Sequence, residues 1–432
     1  MSFVCQRNSY MQEFETHVLS CTLETLTLKS KQKIKGYNVI FEDTVLFPEG
    51  GGQNDDRGTV ICEDKKGVND TPKESIPVLR VIRNGDKAIH FLHTDSPLEI
   101  GSKVKQVVDW KRRFDHMQQH TGQHLISAMF EKHFNVDTSS WWMAENDDMK
   151  VGISFIEMNT SSLTEKQLEL VENSCNAAIR DHLDVIVNVY EKDSPALIDA
   201  HTRGLPDDIA GPVRVIQIGN GKEVIDSNMC CGTHVSNLSH LQMVKLLYAE
   251  KAKKGKGQKC NVYFLVGDRV SNYLQATFLR EQKMNNLLSS GPDDHLMIVE
   301  KINKSFKTSN KSVQVLLKEL AINDSKFIKE KQLKYFSKHR NETDSEYANT
   351  LIREVEDTSV MIFLTSGDEK TGPFQLTLYG LENTIKDLSS KILALLSAKG
   401  GGKGKRVNAK FSSLKNRSEV ETLLEQYFNE IS

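Results

Sequence analysis

Residues 110–134 read WKRRFDHMQQHTGQHLISAMFEKHF, and the reading of everything around them depends on this stretch. Phe114, Met117, Thr121, Leu125, Ala128 and Met129 recur at about 3.6-residue spacing, the period of one helix face. A strand precedes this helix at Lys103–Val108. A second helix follows over 162–182, where Leu163, Leu168, Leu170, Val171, Cys175 and Ile179 form an apolar stripe. Strand-like runs return at 185–189, 213–218 and 243–247. Strands and helices mix without strict alternation, which predicts an α+β core rather than a doubly wound sheet.

Working outward, residues 1–100 read as a β-rich, barrel-like subdomain. Short runs at 37–41, 78–82 and 88–92 are separated by turn residues, and the polar stretch 63–73 reads as a loop. The α+β core occupies 101–268. Residues 269–340 turn long and helical, broken at Ser289–Ser290–Gly291–Pro292. Beyond that break Val299, Ile302, Phe306, Ser309, Val313, Leu316 and Leu320 alternate spacings of three and four, an a/d seam. A helical hairpin is predicted, acting as a coiled-coil spacer or dimerisation arm. Residues 341–432 read as a small C-terminal α/β domain: strands at 360–364 and 374–379, a helix at 381–396, a glycine-rich loop, a short strand and a helix.

Composition narrows the function. The 432 residues include 56 Lys and Arg against 58 Asp and Glu, so no global field attracts a polyanion and any such contact must use local patches. Two clusters qualify: Lys251, Lys253, Lys254, Lys256 and Lys259, and a second run holding Lys399, Lys403, Lys405, Arg406, Lys410, Lys415 and Arg417. No stretch is long and apolar enough for a membrane span, and the start carries no basic segment followed by an apolar one, so no secretory signal is expected. Seven scattered cysteines suit a reducing, cytoplasmic setting better than a disulfide framework.

The densest chemistry is His120–Thr–Gly–Gln–His124. Residues four apart share a helix face, so both imidazoles can meet one ion. About a hundred residues on comes Cys230–Cys231–Gly–Thr–His234, whose glycine permits a sharp turn. Three imidazoles and a thiolate make a tetrahedral zinc set, one Zn²⁺ per chain. His116, four residues before His120, offers a competing helical pair, though a core or outer-shell role suits it better. Cys231 competes with Cys230. Four protein ligands fit a structural ion, whereas a catalytic one needs an open position. The spacing leaves that choice open.

A third motif, FPEGGGQ over 47–53 followed by Asp55–Asp56–Arg57–Gly58, sets three glycines after a strand, where backbone N–H groups can approach a ligand. In the order FPEGGGQ–DDRG, RRFDHMQQHTGQHL, SNMCCGTHV, the chain resembles the editing domain of alanyl-tRNA synthetases and the related threonyl-type domains. It is most similar to the free-standing alanyl-tRNA editing proteins, the AlaX-like members of that class-II synthetase editing family. The likeness covers roughly residues 1–265. A weaker one joins Gly400–Gly401–Gly402–Lys403–Gly404–Lys405 to the glycine-rich end of those synthetases. The sequence departs from the pattern at Cys231, where synthetases have glycine, at Gln123, and across Thr138–Trp142.

The resemblance implies a zinc-dependent hydrolase that deacylates mischarged tRNA-Ala, chiefly Ser-tRNA-Ala and also Gly-tRNA-Ala, in the service of translational fidelity. It implies metal ligands at His120, His124, Cys230 and His234, and an amino-acid pocket lined by Gly50, Gly51, Gly52 and Gln53, with Thr44 reading the serine hydroxyl. tRNA would meet Lys251, Lys253, Lys254, Lys256, Lys403, Lys405 and Arg406. No segment resembles an adenylation domain, so ATP is not required. No Ser–His–Asp or Cys–His arrangement is legible, and a zinc-bound or zinc-oriented water is the expected nucleophile. The rival reading is a non-catalytic tRNA- or protein-binding module with a structural zinc.

Overall fold

The computed structural model describes the chain apart from residues 1, 29, 63–74, 147–149, 192–193, 198–200, 203–211, 221–223, 253–257, 343–344, 357 and 431–432. The loop expected at 63–73 lies outside the described residues. Two compact units result, Met1–Gln282 and Lys283–Ser432, and the fold class is α+β.

In the first unit a helical turn, α1 (Val4–Arg7), leads into six strands: β1 (Glu13–Thr27), β2 (Lys33–Phe41), β3 (Gly58–Cys62), β4 (Ser75–Asn84), β5 (Lys87–Leu92) and β6 (Lys103–Val108). They close into a barrel in the order β1-β2-β5-β4-β3-β6. The length of β1 makes closure possible: Glu13 to His17 pair with β6, and Val18 to Thr27 pair with β2. Val39, Val60, Val78, Val81, Leu92 and Val104 fill the interior, as expected where inward residues alternate along each strand.

The core that follows is built on α2 (Trp110–Phe134). It is capped by Asp109, whose side chain accepts from Arg112 N at 3.2 Å, and ends at Asn135 in a left-handed conformation. Around it lie β7 (Thr138–Trp142), β8 (Ser154–Met158), α3 (Glu165–Arg180), β9 (Asp184–Tyr190), β10 (His201–Thr202), β11 (Val213–Gly219), β12 (Val224–Met229), β13 (Val244–Lys251) and β14 (Cys260–Val266). Two four-stranded sheets form, β10-β12-β11-β9 and β13-β14-β8-β7. Every side chain of α2 from His116 to Phe130 is buried. The helix is not an amphipathic surface helix but the axis of the core. Met117, Leu125, Ile126, Met129 and Phe130 pack with α3 and both sheets, and the polar residues between them must find partners inside. Helix α4 (Asp268–Leu288) carries Arg269 in its first turn, and the buried guanidinium grips Asp115 of α2 at 2.7 and 2.6 Å.

The second unit contains α5 (His295–Glu330), β15 (Tyr335–Arg340), α6 (Ser345–Glu354), β16 (Met361–Ser366), β17 (Phe374–Tyr379), α7 (Glu382–Leu395), β18 (Lys399–Gly401), β19 (Arg406–Phe411) and α8 (Arg417–Glu430). The strands form one sheet, β15-β16-β17-β19-β18. One face packs Met361, Phe363, Leu376 and Val407 against α7 and α8. On the other face, Ile362 and Leu364 are covered by Leu351 of α6 and by Leu317, Ala321 and Ile328 of α5. The a/d seam is therefore not what α5 buries here. Ile302, Phe306, Val313 and Leu316 are exposed, and the packed stripe runs one residue over, through Leu317 and Ala321. No helix among the described residues is long and apolar enough to cross a membrane.

Candidate metal centre

Helix α2 presents His120 and His124 one turn apart. Cys230 follows β12 directly, and the chain then turns through Gly232 to return His234 to the same point. The four ligand atoms lie within 4.8 Å of one another, all in buried residues. Cys230 Sγ sits 3.3 Å from both His120 Nε2 and His234 Nε2. Gly232 is obligatory: a Cβ there would fall 2.1 Å from His120 Cε1.

Each imidazole is held from behind. His120 Nδ1 meets Gln53 Oε1 at 2.9 Å, His234 Nδ1 meets Thr121 Oγ1 at 3.1 Å, and His124 Nδ1 meets Asp226 Oδ2 at 3.0 Å. With the Nδ1 atoms so engaged, the Nε2 atoms of His120 and His234 are left for the centre, the arrangement that outer-shell acceptors impose on metal-binding histidines. Burial, reinforced by the neighbouring imidazoles and by Arg214, holds His120 and His234 well below the ordinary histidine range. Both are neutral ligands at physiological pH. Burial pushes the Cys230 thiol up to about 12, with nearby Cys231 adding and Arg214 opposing, so cation binding must displace that proton. Three imidazoles and one thiol in tetrahedral number are the donor chemistry of zinc, and the residues present fit a metal ion.

The glycine motif lies against this cluster. Gly50 N donates to Gln53 O and Gln53 N to Gly50 O, both at 3.1 Å, and Gly51 and Gly52 carry φ of 59° and 80°. This is the hairpin turn with two left-handed central residues. A Cβ on Gly51 would meet Cys231 Sγ at 2.9 Å, and one on Gly52 would meet Trp141 Nε1 at 2.5 Å. The Trp141 ring in turn lies 4.8 Å from that of His120. Gly50 N–H is consumed within the turn, whereas Gly51 and Gly52 N–H have no partner among the described residues. Gln53 also clamps the opposite segment: its Nε2 donates to Thr233 Oγ1 at 2.8 Å and its Oε1 accepts from Thr233 N at 2.9 Å.

The DDRG segment anchors the turn. Arg113 and Asp56 form a fully buried ion pair, with Arg113 Nε 2.9 Å from Asp56 Oδ2, and the same oxygen accepts from Phe47 N at 2.6 Å. Arg113 Nη2 donates to Val45 O at 2.6 Å. The residues on either side of the glycines are thus tied to the helix that carries the histidines.

Thr44 is buried within the barrel. Its hydroxyl lies 2.8 Å from His90 Nε2 and 3.0 Å from Gln106 Oε1, and it accepts from Leu46 N at 3.0 Å. His116 stands outside the donor set; it is buried, with no partner for Nδ1, so the expectation of a satisfied core histidine is met in burial only. Cys231 faces Gly51 rather than the cluster. Lys251 ends β13 exposed, Lys403 and Lys405 are exposed in the β18–β19 turn, and Arg406 opens β19 half-buried. Lys253, Lys254 and Lys256 lie outside the described residues.

Sequence reading assigned no role to Asp226, Thr121, Trp141 or Arg214. Arg214 Nη1 donates to Cys230 O at 2.9 Å and Gly232 O at 2.6 Å, pinning the cysteine turn from within. Trp141 belongs to the segment that departs from the family pattern. Asp226 precedes Cys230 by four residues on the strand leading to it, the one local signal that could have marked it.

Comparison with known proteins follows the same motifs. Residues 213–261, holding the cysteine turn and its flanking strands, match the domain described as "Threonyl and Alanyl tRNA synthetase second additional domain". The zebrafish (Danio rerio) alanyl-tRNA editing protein Aarsd1 is 42% identical over 99% of this chain and 98% of its own length. The putative alanyl-tRNA editing protein alaX of Saccharomyces cerevisiae is 32% identical over 96% and 94%. The alanyl-tRNA editing protein AlaX-L of Pyrococcus horikoshii is 27% identical over 73% and 70%.

Proposed function

The chain belongs to the alanyl-tRNA editing proteins, and on that premise we propose that it is a zinc-dependent trans-editing hydrolase. Its substrates are Ser-tRNA-Ala and, secondarily, Gly-tRNA-Ala, and the bond cleaved is the aminoacyl ester. The observation that carries this reading is the convergence of His120, His124, Cys230 and His234 within 4.8 Å beside the Gly50–Gln53 turn. Zinc held there supplies Lewis acidity toward water or the ester carbonyl, or an anchor for the α-amino group.

The protein's own residues supply the rest. Gly51 and Gly52 offer unpaired N–H groups to the oxygen that gains charge as the ester is attacked, the role such donors play in acyl transfer. Gln53 holds His120 and Thr233 fixed, so the turn cannot move independently of the ligands. Trp141 closes one side and excludes solvent. Thr44, by exchanging its hydrogen bond to Gln106 or His90, reads the serine hydroxyl. A site that must bond a hydroxyl rejects its absence by about 10⁴, which spares Ala-tRNA-Ala. Residues 1–268 carry the cleavage, 269–340 act as spacer, and 341–432 with Lys251, Lys253, Lys254 and Lys256 hold tRNA. The reaction consumes water and no ATP, in the cytoplasm.

A second reading has its own support: the four donors already complete a tetrahedral set, as in structural zinc sites. One experiment separates the two. Serine release from Ser-tRNA-Ala is measured for the parent, His120→Ala and Cys230→Ala, with folding checked by thermal melting. Release by the parent and its loss in folded variants support editing. No release by a metal-loaded parent supports the binding module.

A further inference from the structure

A cavity in the second unit lies outside the metal centre and takes Lys399, Arg406 and Lys410 from the second basic run. It has a volume of about 480 Å³ and opens on the sheet face that α5 and α6 leave uncovered. Strands β17 and β19 pair Thr377 with Asn408 and Gln375 with Lys410. Alternation sends their neighbours Leu376, Val407 and Ala409 into the core and turns this polar set outward.

The lining is one-sided in charge. Arg340, Lys399, Arg406 and Lys410 contribute to it, and no carboxylate does among the described residues. Arg340 is set for a ligand. Its side chain is only 16% exposed, and its guanidinium lies over the Tyr347 ring at 4.5 Å. Its buried Nε has no partner, and the nearest acid, the exposed Glu342, is 4.0 Å away. A buried donor left unpaired costs stability, and an anion in the cavity would remove that cost. Arg406 is steadied by Asn349 Oδ1 at 2.9 Å. Asn408 Oδ1 is occupied by Thr377 Oγ1 at 3.1 Å, which leaves its amide N–H₂ as a donor toward the cavity. Ser345, the first residue of the ten-residue helix α6, adds the positive end of a helix to the rim.

We propose that this cavity is a nucleoside-phosphate site. Arg340 and Lys410 hold the phosphate, Arg406 and Lys399 complete its charge shell, and Gln375 and Asn408 meet the base edge. A lone phosphate would leave most of the volume empty, and the cavity falls within the range of small-molecule sites, roughly 300–1,000 Å³. Two sources share this chemistry, a free mononucleotide and an unpaired nucleotide within an RNA chain. The RNA occupant rests on the proposed tRNA contact of residues 341–432, the free nucleotide does not, and neither requires ester cleavage.

The test uses the full-length protein and three probes: inorganic phosphate, AMP, and a fluorescent single-stranded RNA hexamer followed by anisotropy. Arg340→Gln and Lys410→Gln are each expected to weaken the nucleotide probe about tenfold and to lower the salt slope for RNA by about one. Lys410 is exposed, so its variant keeps the inference testable if Arg340→Gln fails to fold. AMP binding that competes with the hexamer assigns the site to free nucleotide. Hexamer binding untouched by AMP assigns it to RNA. Unchanged affinity in the Lys410 variant, or binding of both nucleotide probes no tighter than of phosphate, overturns the proposal. His120→Ala must retain nucleotide binding; loss there would overturn the separateness of the site without bearing on deacylation.

Discussion

The two units handle charge in opposite ways. Around the histidine cluster the main charged and ligand groups are buried and engaged, Asp56 by Arg113, His124 by Asp226 and His120 by Gln53, although Arg214 Nε and Nη2 and His116 Nδ1 stay without a hydrogen-bond partner. On the open sheet face of the second unit, Arg340, Lys399 and Lys410 line a cavity to which no described carboxylate contributes, and Arg340 reaches only the exposed Glu342 at 4.0 Å. A buried charge survives only when paired, because desolvation otherwise exceeds what it gains. Pairing also fixes position, and a site that must place an ester within fractions of an ångström uses that property. Exposed cations are held loosely and screened by salt, yet they act at a distance on a polyanion. Chemistry and capture thus call for opposite electrostatics, and the proposed function draws on both.

The sharpest way to break the contrast is to unpair a buried charge. Asp56→Ala strands the Arg113 guanidinium in the core and is expected to destabilise the first unit by about 3–5 kcal/mol. Urea unfolding followed by the fluorescence of Trp110, Trp141 and Trp142 would measure it. A loss below 1 kcal/mol would mean that water reaches Arg113 and that the glycine turn is not anchored as described.

Acid probes the same burial through His90. Burial lowers its pKa to about 4, while hydrogen bonds to Val39 and Ala88 carbonyls work the other way. An unfolded chain protonates this ring near 6.5, before the folded one does. Stability is therefore complete above about pH 6.5 and falls as pH drops toward 4, by roughly 3 kcal/mol. His116, His120 and His234 add losses of the same sign. The difference between the parent and His90→Asn isolates the single ring: the variant should lose markedly less between pH 7 and 4.5. Parallel curves would place His90 in contact with solvent.

Outer-shell positioning comes next in size. Asp226→Ala frees His124 Nδ1 and should weaken metal binding by 10- to 100-fold, the usual cost of losing such a partner. Competition with a chromogenic chelator reads this directly. A change under threefold would show that packing alone orients His124.

What was legible in the sequence follows the same divide. The helix over 110–134 and the strand Lys103–Val108 could be read because local spacing encodes them, whereas spacing alone left His116 and Cys231 in competition and the four converging donors followed from the family resemblance. Strand β1 could not: fifteen residues with an irregular burial pattern carry no clean alternation, since its two halves pair with different strands. Strand β15 and helix α6, before residue 360, were also invisible. All six residues of Tyr335–Arg340 are half-buried, so no face stands out. The a/d rhythm of α5 did not mark the stripe buried within the chain, because α6 docks on Leu317 and Ala321. Gln53, Thr121 and Asp226 act across 67, 113 and 102 residues of chain, and no spacing rule reaches that far.

The smallest expected effect sharpens the contrast from the exposed side. Lys403→Gln and Lys405→Gln lie in a solvent-facing turn, so each should leave stability within about 0.5 kcal/mol of the parent. On the proposed function their effect falls on tRNA capture. Each neutralised phosphate contact lowers the slope of log affinity against log salt by about one, with little change in serine release at saturating tRNA. Should either lysine variant instead lower the rate of release at saturation while tRNA affinity holds, this turn would belong to the chemistry rather than to capture, and the contrast between paired and exposed charge would fail.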